Sequence, residues 1–210
     1  MPVLTALTPT RQRGRFAVHV DGAFAFAVSE AFVARNGLHE GRLYTEADYE
    51  ALRGEARSEA ALAHAYRLLA HRLRSEAELR RRLHQKGHTA DQTDALISRL
   101  TEEGLVDDQA FARAFVSDKV KLSGWGRERI ARELGRAGLS DEIVQTAVAH
   151  LEEADEYERA MAALHRHGPP RPPLDKARRR AYDFLSRRGF ASPIAYRAVS
   201  DWLAGKPPTD

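Results

Sequence analysis

The chain has 210 residues, of which 43% are hydrophobic and 30% are charged, and its formal net charge at pH 7 is +3. These values predict a soluble, globular protein of one domain or two small ones. No apolar run approaches the eighteen residues of a transmembrane helix, so we expect no membrane partner. The chain has no cysteine, which excludes disulfides and thiolate chemistry. With an N-terminus unlike a secretory signal, this favours a cytoplasmic location.

The first predicted element is a β-hairpin in residues 15–28, where apolar and polar residues alternate on both sides of Asp21-Gly22. A two-residue loop would place large side chains on both faces of the hairpin. A three-residue loop leaves one apolar face that can cover helices, so we predict that register. Its pairs are Val20 with Phe24, Val18 with Phe26 and Phe16 with Val28.

Two further elements complete the predicted N-terminal segment, residues 1–57. Residues 3–7 are expected to add a strand to the hairpin. Thr45, with Asp48 three residues later, is predicted to cap a helix that leads into the rest of the chain. The segment is therefore interpreted as a small β-hairpin and helix extension.

From residue 58 onward the chain is predicted to be helical almost throughout, and it contains a repeat of 51 residues. Glycines recur at this spacing, and apolar residues recur at the same offset. Each copy reads as a helix–Gly–helix unit with one more amphipathic helix before it, near 59–71, 108–121 and 155–167. The recurring positions are Gly87, Gly138 and Gly189; Leu83, Leu134 and Leu185; and Ile97, Val148 and Val199.

This repeat predicts a mainly α-helical fold of three tandem three-helix repeats in an elongated array. The repeats are placed at residues 58–106, 107–155 and 156–210, the last with a C-terminal tail. Their third helices are predicted to begin at Thr89 with Gln92, at Ser140, and at Ser192 before Pro193. The alternative is a single globular helical bundle in which the spacing is accidental.

Positive charge recurs at one position of each repeat. Lys and Arg exceed Asp and Glu by five in residues 64–88, by four in 119–136 and by six in 166–188. Patches at regular intervals suit a long, negatively charged partner. The alternative is a solvated face, because pairs such as Glu76–Arg80 merely support an isolated helix. The candidate contact residues are Arg72, Arg74, Arg80, Arg81, Lys86, Lys121, Arg127, Arg132, Arg179, Arg180 and Arg188.

Among these candidates, some lack an obvious local partner and are therefore the better contacts: Arg74, Arg81, Lys86, Arg179 and Arg188. The helix that carries several of them is predicted to begin at Ser75, with Glu78 completing a capping box, and to end at Gly87.

The sequence offers little to catalysis. It contains no GxxxxGK[ST] phosphate loop and no HExxH, and "GWGRE" at 124–128 is interpreted as the entry turn of a helix. His84 and His88 are separated by a helix-ending glycine, so we expect no metal site there. Trp125 could stack on a base, but core packing is its more common role. We expect no enzyme, no cofactor and no small-molecule substrate.

Several motifs resemble those of the RecX family, regulators of the RecA recombinase. "YRLLAHRLRSEAELRRRLHQKGH" (66–88) resembles the signature of the family's first module, and "EEGLVDDQAFARAFV" (102–116) is similar to the second element. "GWGRERIARELGRAGL" (124–139) matches the third element, except that Ala137 stands where many members have lysine. "RRGF" (187–190) matches the C-terminal element. The likeness covers roughly residues 60–205.

The resemblance implies three tandem three-helix modules that lie along the groove of a RecA–single-stranded-DNA filament. It implies inhibition of the filament's recombinase, ATPase and co-protease activities, in homologous recombination, DNA repair and the SOS response. The partners would be the RecA nucleoprotein filament and single-stranded DNA. Two alternatives remain: a stand-alone helical-repeat nucleic-acid-binding protein without RecA involvement, and a structural adaptor without affinity for DNA.

Overall fold

The computed structural model describes residues 1–207; residues 208–210, the end of the predicted tail, lie outside the described part. The described chain is mainly helical, with ten α-helices and one small sheet, which confirms the predicted fold class. It divides into two compact units. Unit 1 comprises Met1–Leu73 and Leu79–Val106; unit 2 comprises Arg74–Glu78 and the chain from Asp107 onward.

Unit 1 begins with a three-stranded antiparallel sheet in the order β1-β2-β3. The strands are β1 (Leu4–Pro9), β2 (Arg15–Val20) and β3 (Ala23–Ser29). The predicted additional strand is thus present as β1. The buried face of the sheet packs in a hydrophobic cluster that includes Leu4, Val18, Val28 and Phe32.

The predicted hairpin register is wrong at the turn and right beyond it. Val20 pairs with Ala23 and not with Phe24, so the loop has two residues. Asp21 and Gly22 both have positive φ, 51° and 81°, a geometry that matches the twist of hairpin strands. A bulge at Ala25 then shifts the register by one residue and restores the predicted pairs Val18–Phe26 and Phe16–Val28.

Two helices connect the sheet to the rest of unit 1. Helix α1 (Glu30–Asn36) is capped by the Ser29 hydroxyl. Helix α2 (Glu46–His71) starts at the predicted cap Thr45, and the helix predicted at 59–71 is its second half. The carboxylate of Glu59 on α2 accepts hydrogen bonds from the backbone and hydroxyl of Ser29, at 2.7 and 3.0 Å. This contact fixes α2 to the end of the sheet.

The second half of α2 packs with the next two helices, α3 (Glu76–Gln85) and α4 (Ala90–Glu102). The first three residues of α3 belong to unit 2. Thr89 caps α4 in a capping box with Gln92, as predicted. The shared core contains the repeat positions Leu83, Ile97 and Leu100, each of which is buried.

Unit 2 contains two further sets of three helices with separate hydrophobic clusters. Helix α5 (Asp108–Asp118) is followed directly by a π-helical turn, Lys119–Ser123, which ends at Gly124 with a φ of 58°. The equivalents of Leu83 and Ile97, namely Leu134, Val148, Leu185 and Val199, are buried in these clusters. The helices are α5 (Asp108–Asp118), α6 (Arg127–Arg136), α7 (Asp141–Ala149), α8 (Glu153–His167), α9 (Leu174–Arg188) and α10 (Ser192–Leu203).

The three repeat glycines have the left-handed conformation that their helix-ending role requires. Their φ angles are 84° at Gly87, 90° at Gly138 and 80° at Gly189. Ser140 caps α7 as predicted. Ser192 does not cap α10: the cap is Ala191, and the Ser192 hydroxyl instead hydrogen-bonds Tyr182 at 3.0 Å. The repeat borders at 58, 107 and 156 stay a prediction.

The same close contact occurs twice inside unit 2. A Cβ on Gly138 would lie 2.3 Å from the Cβ of Ala77, and a Cβ on Gly189 would lie 2.2 Å from the Cβ of Arg129. In each case the C-terminal glycine of one helix lies against the first turn of a helix from the preceding repeat. At the second contact Gly126 and Glu128 donate backbone hydrogen bonds to Arg188 and Gly189. Main-chain atoms of Gly126, Glu128, Arg188 and Gly189 therefore form this contact, which we call the joint.

Candidate functional site

The predicted cations on α3 lie mostly at the surface. Arg81 and Lys86 are exposed. Arg80 is half-buried and forms an ion pair with Asp94 of α4. Arg72, just before the helix, is exposed and donates to the Leu73 carbonyl at 2.9 Å. Arg81 on α3 and Lys86 just after its end are thus best placed to meet a partner.

The prediction that Arg74 lacks a local partner is wrong. Arg74 is buried and forms an ion pair with Glu78, whose side chain is 11% exposed. Ser75 takes part as well: its hydroxyl accepts from the backbone N–H of Glu78 and donates to the Ala137 carbonyl at 2.6 Å. Burial of the pair removes Arg74 from the accessible surface.

The predicted residues around α6 have mixed environments. Lys121, on the π-helical turn, and Arg132, in the middle of α6, are exposed. Arg127 is half-buried, and its backbone N–H donates to Glu156 of α8 at 2.9 Å. Trp125 packs with Phe115 at the edge of the core, between Lys119 and Arg129 at 5.0 and 4.0 Å from its ring. Core packing is therefore its observed role.

The α9 candidates separate into two kinds. Arg179 and Arg180 are exposed. Arg188 is half-buried, donates to the Ser123 carbonyl at 3.1 Å and lies 4.7 Å from the centre of the Phe184 ring. The prediction that Arg188 lacks a local partner is thus wrong, because the Phe184 ring lies four residues away on the same helix. Its second partner, the Ser123 carbonyl, is far away in sequence.

A positively charged groove of about 390 Å³ is formed by the π-helical turn, α8 and α9. Two predicted residues line it, Lys121 from the turn and Arg188 from α9. Two arginines of α8, Arg159 and Arg166, also line it and were not predicted. Within the described residues, no acidic side chain lines it. Its charged and aromatic lining residues are Lys121, Arg159, Arg166, His167, Phe184 and Arg188.

The two missed arginines had different signals in the sequence. Arg166 lies in the third basic stretch, so charge counting could have included it. Arg159 follows the acidic run 152–158 and was masked by that composition. Only the packing of α8 shows that Arg159 faces the groove while Glu156 turns to α6.

The acids between the repeats are partly structural. Asp107 accepts from the first N–H groups of α5, at 2.8 and 3.0 Å. Asp108 accepts a hydrogen bond from the Glu76 N–H at 2.8 Å. The buried carboxylate of Glu156 likewise accepts one from the backbone N–H of Arg127. Burial raises the pKa of Asp108 and Glu156, while these backbone hydrogen bonds oppose the rise. Both carboxylates stabilise the start of a helix in the preceding repeat.

Within residues 1–207, no three His, Asp or Glu side chains are grouped to hold a metal ion, and no helix is long and apolar enough to cross a membrane. The exposed cations of α3, α6 and α9 and the basic groove are surface features of the described residues that can bind an acidic partner. Their chemistry suits phosphate or carboxylate groups.

Comparison with known proteins connects this architecture to one family. The model of the first three-helix domain of RecX matches residues 61–100, and that of the second matches residues 107–148. The regulatory protein RecX of a Mycobacterium species, strain JLS, is 36% identical over 157 residues, which are 71% of this chain and 85% of that protein. RecX of Mycolicibacterium smegmatis is 37% identical over 147 residues, covering 67% and 78%.

Solved structures agree in fold. A crystal structure of regulatory protein RecX covers 96% of this chain and all of that one, with a TM-score of 0.65 and 19% identity. RecX from Lactobacillus salivarius covers 70% of this chain and 97% of its own, with a TM-score of 0.60 and 19% identity. With the sequence relatives above, these comparisons show that the chain belongs to the RecX family of regulatory proteins.

Proposed function

We propose that this protein binds the RecA–single-stranded-DNA filament in the cytoplasm and inhibits its recombinase, ATPase and co-protease activities. The observation that carries the proposal is the recurrence of exposed cations on the second helix of each repeat, in a chain of a family named for regulation. The proposal also places the protein in DNA repair, homologous recombination and the SOS response, without an enzymatic activity of its own.

The proposed contact surface is narrower than the predicted one. It consists of exposed or half-exposed side chains that can reach a phosphate or a carboxylate without unfolding the protein. Arg74 is left out because it is buried with Glu78. Arg188 is assigned to the groove rather than to the outer face. The remaining contact residues are Arg72, Arg80, Arg81, Lys86, Lys121, Arg127, Arg132, Arg179 and Arg180.

A RecA ATPase assay on single-stranded DNA, with this protein added below the RecA concentration, tests the proposal. The wild type should inhibit ATP hydrolysis. The double variant Arg81→Ala/Lys86→Ala should require several times more protein for the same inhibition, because two charge-assisted contacts are lost. Unchanged inhibition by this variant would remove α3 from the contact surface.

The chain offers a matched control for that variant. Arg11 and Arg13 are exposed between β1 and β2, outside the repeats. The variant Arg11→Ala/Arg13→Ala loses the same two charges and should inhibit like the wild type. Equal loss of inhibition in both double variants would indicate an effect of net charge alone.

The basic groove keeps a second function open, that of a stand-alone nucleic-acid-binding protein. A titration at one moderate salt concentration separates the two functions. RecA regulation predicts tighter binding to RecA-coated than to bare single-stranded DNA. Preference for the bare strand favours the stand-alone function.

A further inference from the structure

We propose that the groove between the π-helical turn, α8 and α9 is a built binding site for a phosphodiester of single-stranded nucleic acid, with an adjacent base stacked at its rim. The proposal rests in part on the proposed function, since it names the component of the nucleoprotein filament that unit 2 contacts. It stands on three observations: a half-buried arginine with two unsatisfied donor atoms, two converging guanidinium groups and an aromatic pair.

The first observation is Arg159, which lines the groove from α8. Its Nε and Nη2 atoms are buried and have no hydrogen-bond partner within the described structure. Glu156 and Asp155 act on Arg159 only through longer-range attraction, and burial of the guanidinium outweighs them, so the pKa of Arg159 is lowered. Buried donors without acceptors are unfavourable, and an anion in the groove supplies oxygen acceptors once the Arg159 guanidinium turns toward it.

The second observation is the approach of Arg166 and Arg188 to Gly124. A Cβ at Gly124 would lie 3.5 Å from Nη2 of Arg166 and 3.7 Å from Nη1 of Arg188. The two guanidinium groups therefore converge on one backbone position, with the exposed Lys121 on the same turn. Like charges held together without an acid in the groove repel one another, and a phosphate relieves that repulsion while accepting their N–H groups.

The third observation decides in favour of a nucleotide over a lone ion. His167 and Phe184 stack with centroids 4.8 Å apart and an interplanar angle of 25°. The His167 ring is at the exposed edge of the groove, beside cations that fix a phosphate. A base can stack on such a surface only when it is not stacked inside a duplex. The volume of about 390 Å³ lies in the range of small-ligand sites.

The test measures fluorescence anisotropy of a labelled dT oligonucleotide, about fifteen nucleotides long, with the full chain. Arg166→Gln should weaken binding about fivefold near 0.1 M salt and lower the salt slope by about 0.7, as one lost phosphate contact on a single strand requires. Arg178→Gln is the matched control: Arg178 is exposed on α9, lies outside the groove and carries the same charge. It should bind like the wild type.

A second variant separates the base from the backbone. His167→Ala should weaken binding of the dT oligonucleotide about fivefold or more, since base–aromatic stacking contributes that much. It should leave binding of an abasic oligomer of equal length unchanged. Arg159→Gln should also weaken binding. If that variant fails to fold, Arg166→Gln and His167→Ala still decide.

Several outcomes overturn the proposal. Unchanged binding by Arg166→Gln, or equal loss in Arg178→Gln, would show a general positive field and no built site. Competition by inorganic phosphate at the same concentration as oligonucleotide phosphate would show a simple oxyanion site. If the groove variants bind bare DNA normally but the wild type inhibits RecA, this inference fails and the proposed function survives. If DNA binding depends on the groove but the wild type has no effect on RecA, this inference survives and the proposed function fails.

Discussion

The buried carboxylate of Glu156 on α8 accepts a hydrogen bond from the backbone N–H of Arg127, 2.9 Å away at the start of α6. Gly126, the cap residue of α6, has no side chain to do this. An acid from the following repeat thus completes the helix, as Asp108 does for Glu76. Helix capping in this protein is partly a tertiary contact between repeats.

Removal of this acceptor should destabilise unit 2. We expect Glu156→Ala to lower the free energy of unfolding by about 1–3 kcal/mol, because the half-buried N–H of Arg127 loses its partner. Glu156→Gln keeps an acceptor oxygen and should lose less. Urea unfolding of the two variants at one pH makes the comparison. Equal losses for Ala and Gln would show that the charge, and not the hydrogen bond, matters.

The pKa of Glu156 gives this contact a pH dependence with a definite sign. Burial raises the pKa of Glu156 above its ordinary value of 4.5. Its contribution to stability is therefore fully present below about pH 4.5 and is lost as the pH rises through the folded-state pKa. The stability of the wild type relative to Glu156→Gln should thus fall between pH 4.5 and pH 7. A difference that is constant or grows with pH would contradict this.

His64 and His88 of unit 1 should give stability the opposite pH dependence. Burial lowers the pKa of both His64 and His88, whose rings lie 6.2 Å apart; nearby cations, with Arg67 first, add to the effect on His64. Their contribution is present above about pH 6.5 and is lost as the pH falls through their folded-state pKa values. Unfolding midpoints should decrease from pH 7.5 to pH 5, and less so in His64→Gln/His88→Gln. His150→Gln, at an exposed position after α7, is the control.

Two glycines with nearly equal φ angles can separate backbone strain from the joint. Gly87→Ala meets open space and should cost about 1–2 kcal/mol for the left-handed conformation. Gly189→Ala has the same strain and also collides with Arg129, so it should cost about 1–3 kcal/mol more. Thermal unfolding of both variants measures the difference. Equal losses of stability in the two variants would mean that the contact between Gly189 and Arg129 does not contribute to stability.

Arg74 and Arg81 should differ sharply although both are arginines of one basic stretch. Arg74→Ala removes the buried guanidinium that forms an ion pair with Glu78 and should cost about 3–5 kcal/mol. Arg81→Ala, at an exposed site, should change stability by less than about 0.5 kcal/mol. Denaturant unfolding tests both. A mild effect of Arg74→Ala would indicate that Glu78 finds another partner or water.

These residues also show how far the sequence determines the fold. The caps at Thr45, Thr89 and Ser140 and the turn at Gly87 follow from hydrogen bonds that span three or four residues, and such local rules can be applied without a structure. The 51-residue repeat predicted the three groups of three helices. The hairpin bulge at Ala25 could not be predicted, because a two-residue turn and a later bulge leave the same outer pairs as a three-residue loop.

The candidate site was harder to predict for a physical reason. Whether an arginine is accessible depends on contacts that span 62 and 65 residues: the Ala137 carbonyl accepts from Ser75, next to Arg74, and the Ser123 carbonyl accepts from Arg188. Charge counting treats all arginines of a stretch alike. The groove joins a turn and two helices, and its least conspicuous member, Arg159, sits beside acids in the sequence.

The joint at Gly126 and Gly189 has a consequence for how such proteins can change over generations. Two residues without side chains bring main-chain N–H and C=O groups together, and every residue except proline carries these same groups. Substitutions elsewhere on α6 and α9 can therefore alter the outward charge of a repeat while its attachment to the next repeat persists. Selection can therefore change what the surface of a repeat binds while the main-chain contact between repeats stays the same.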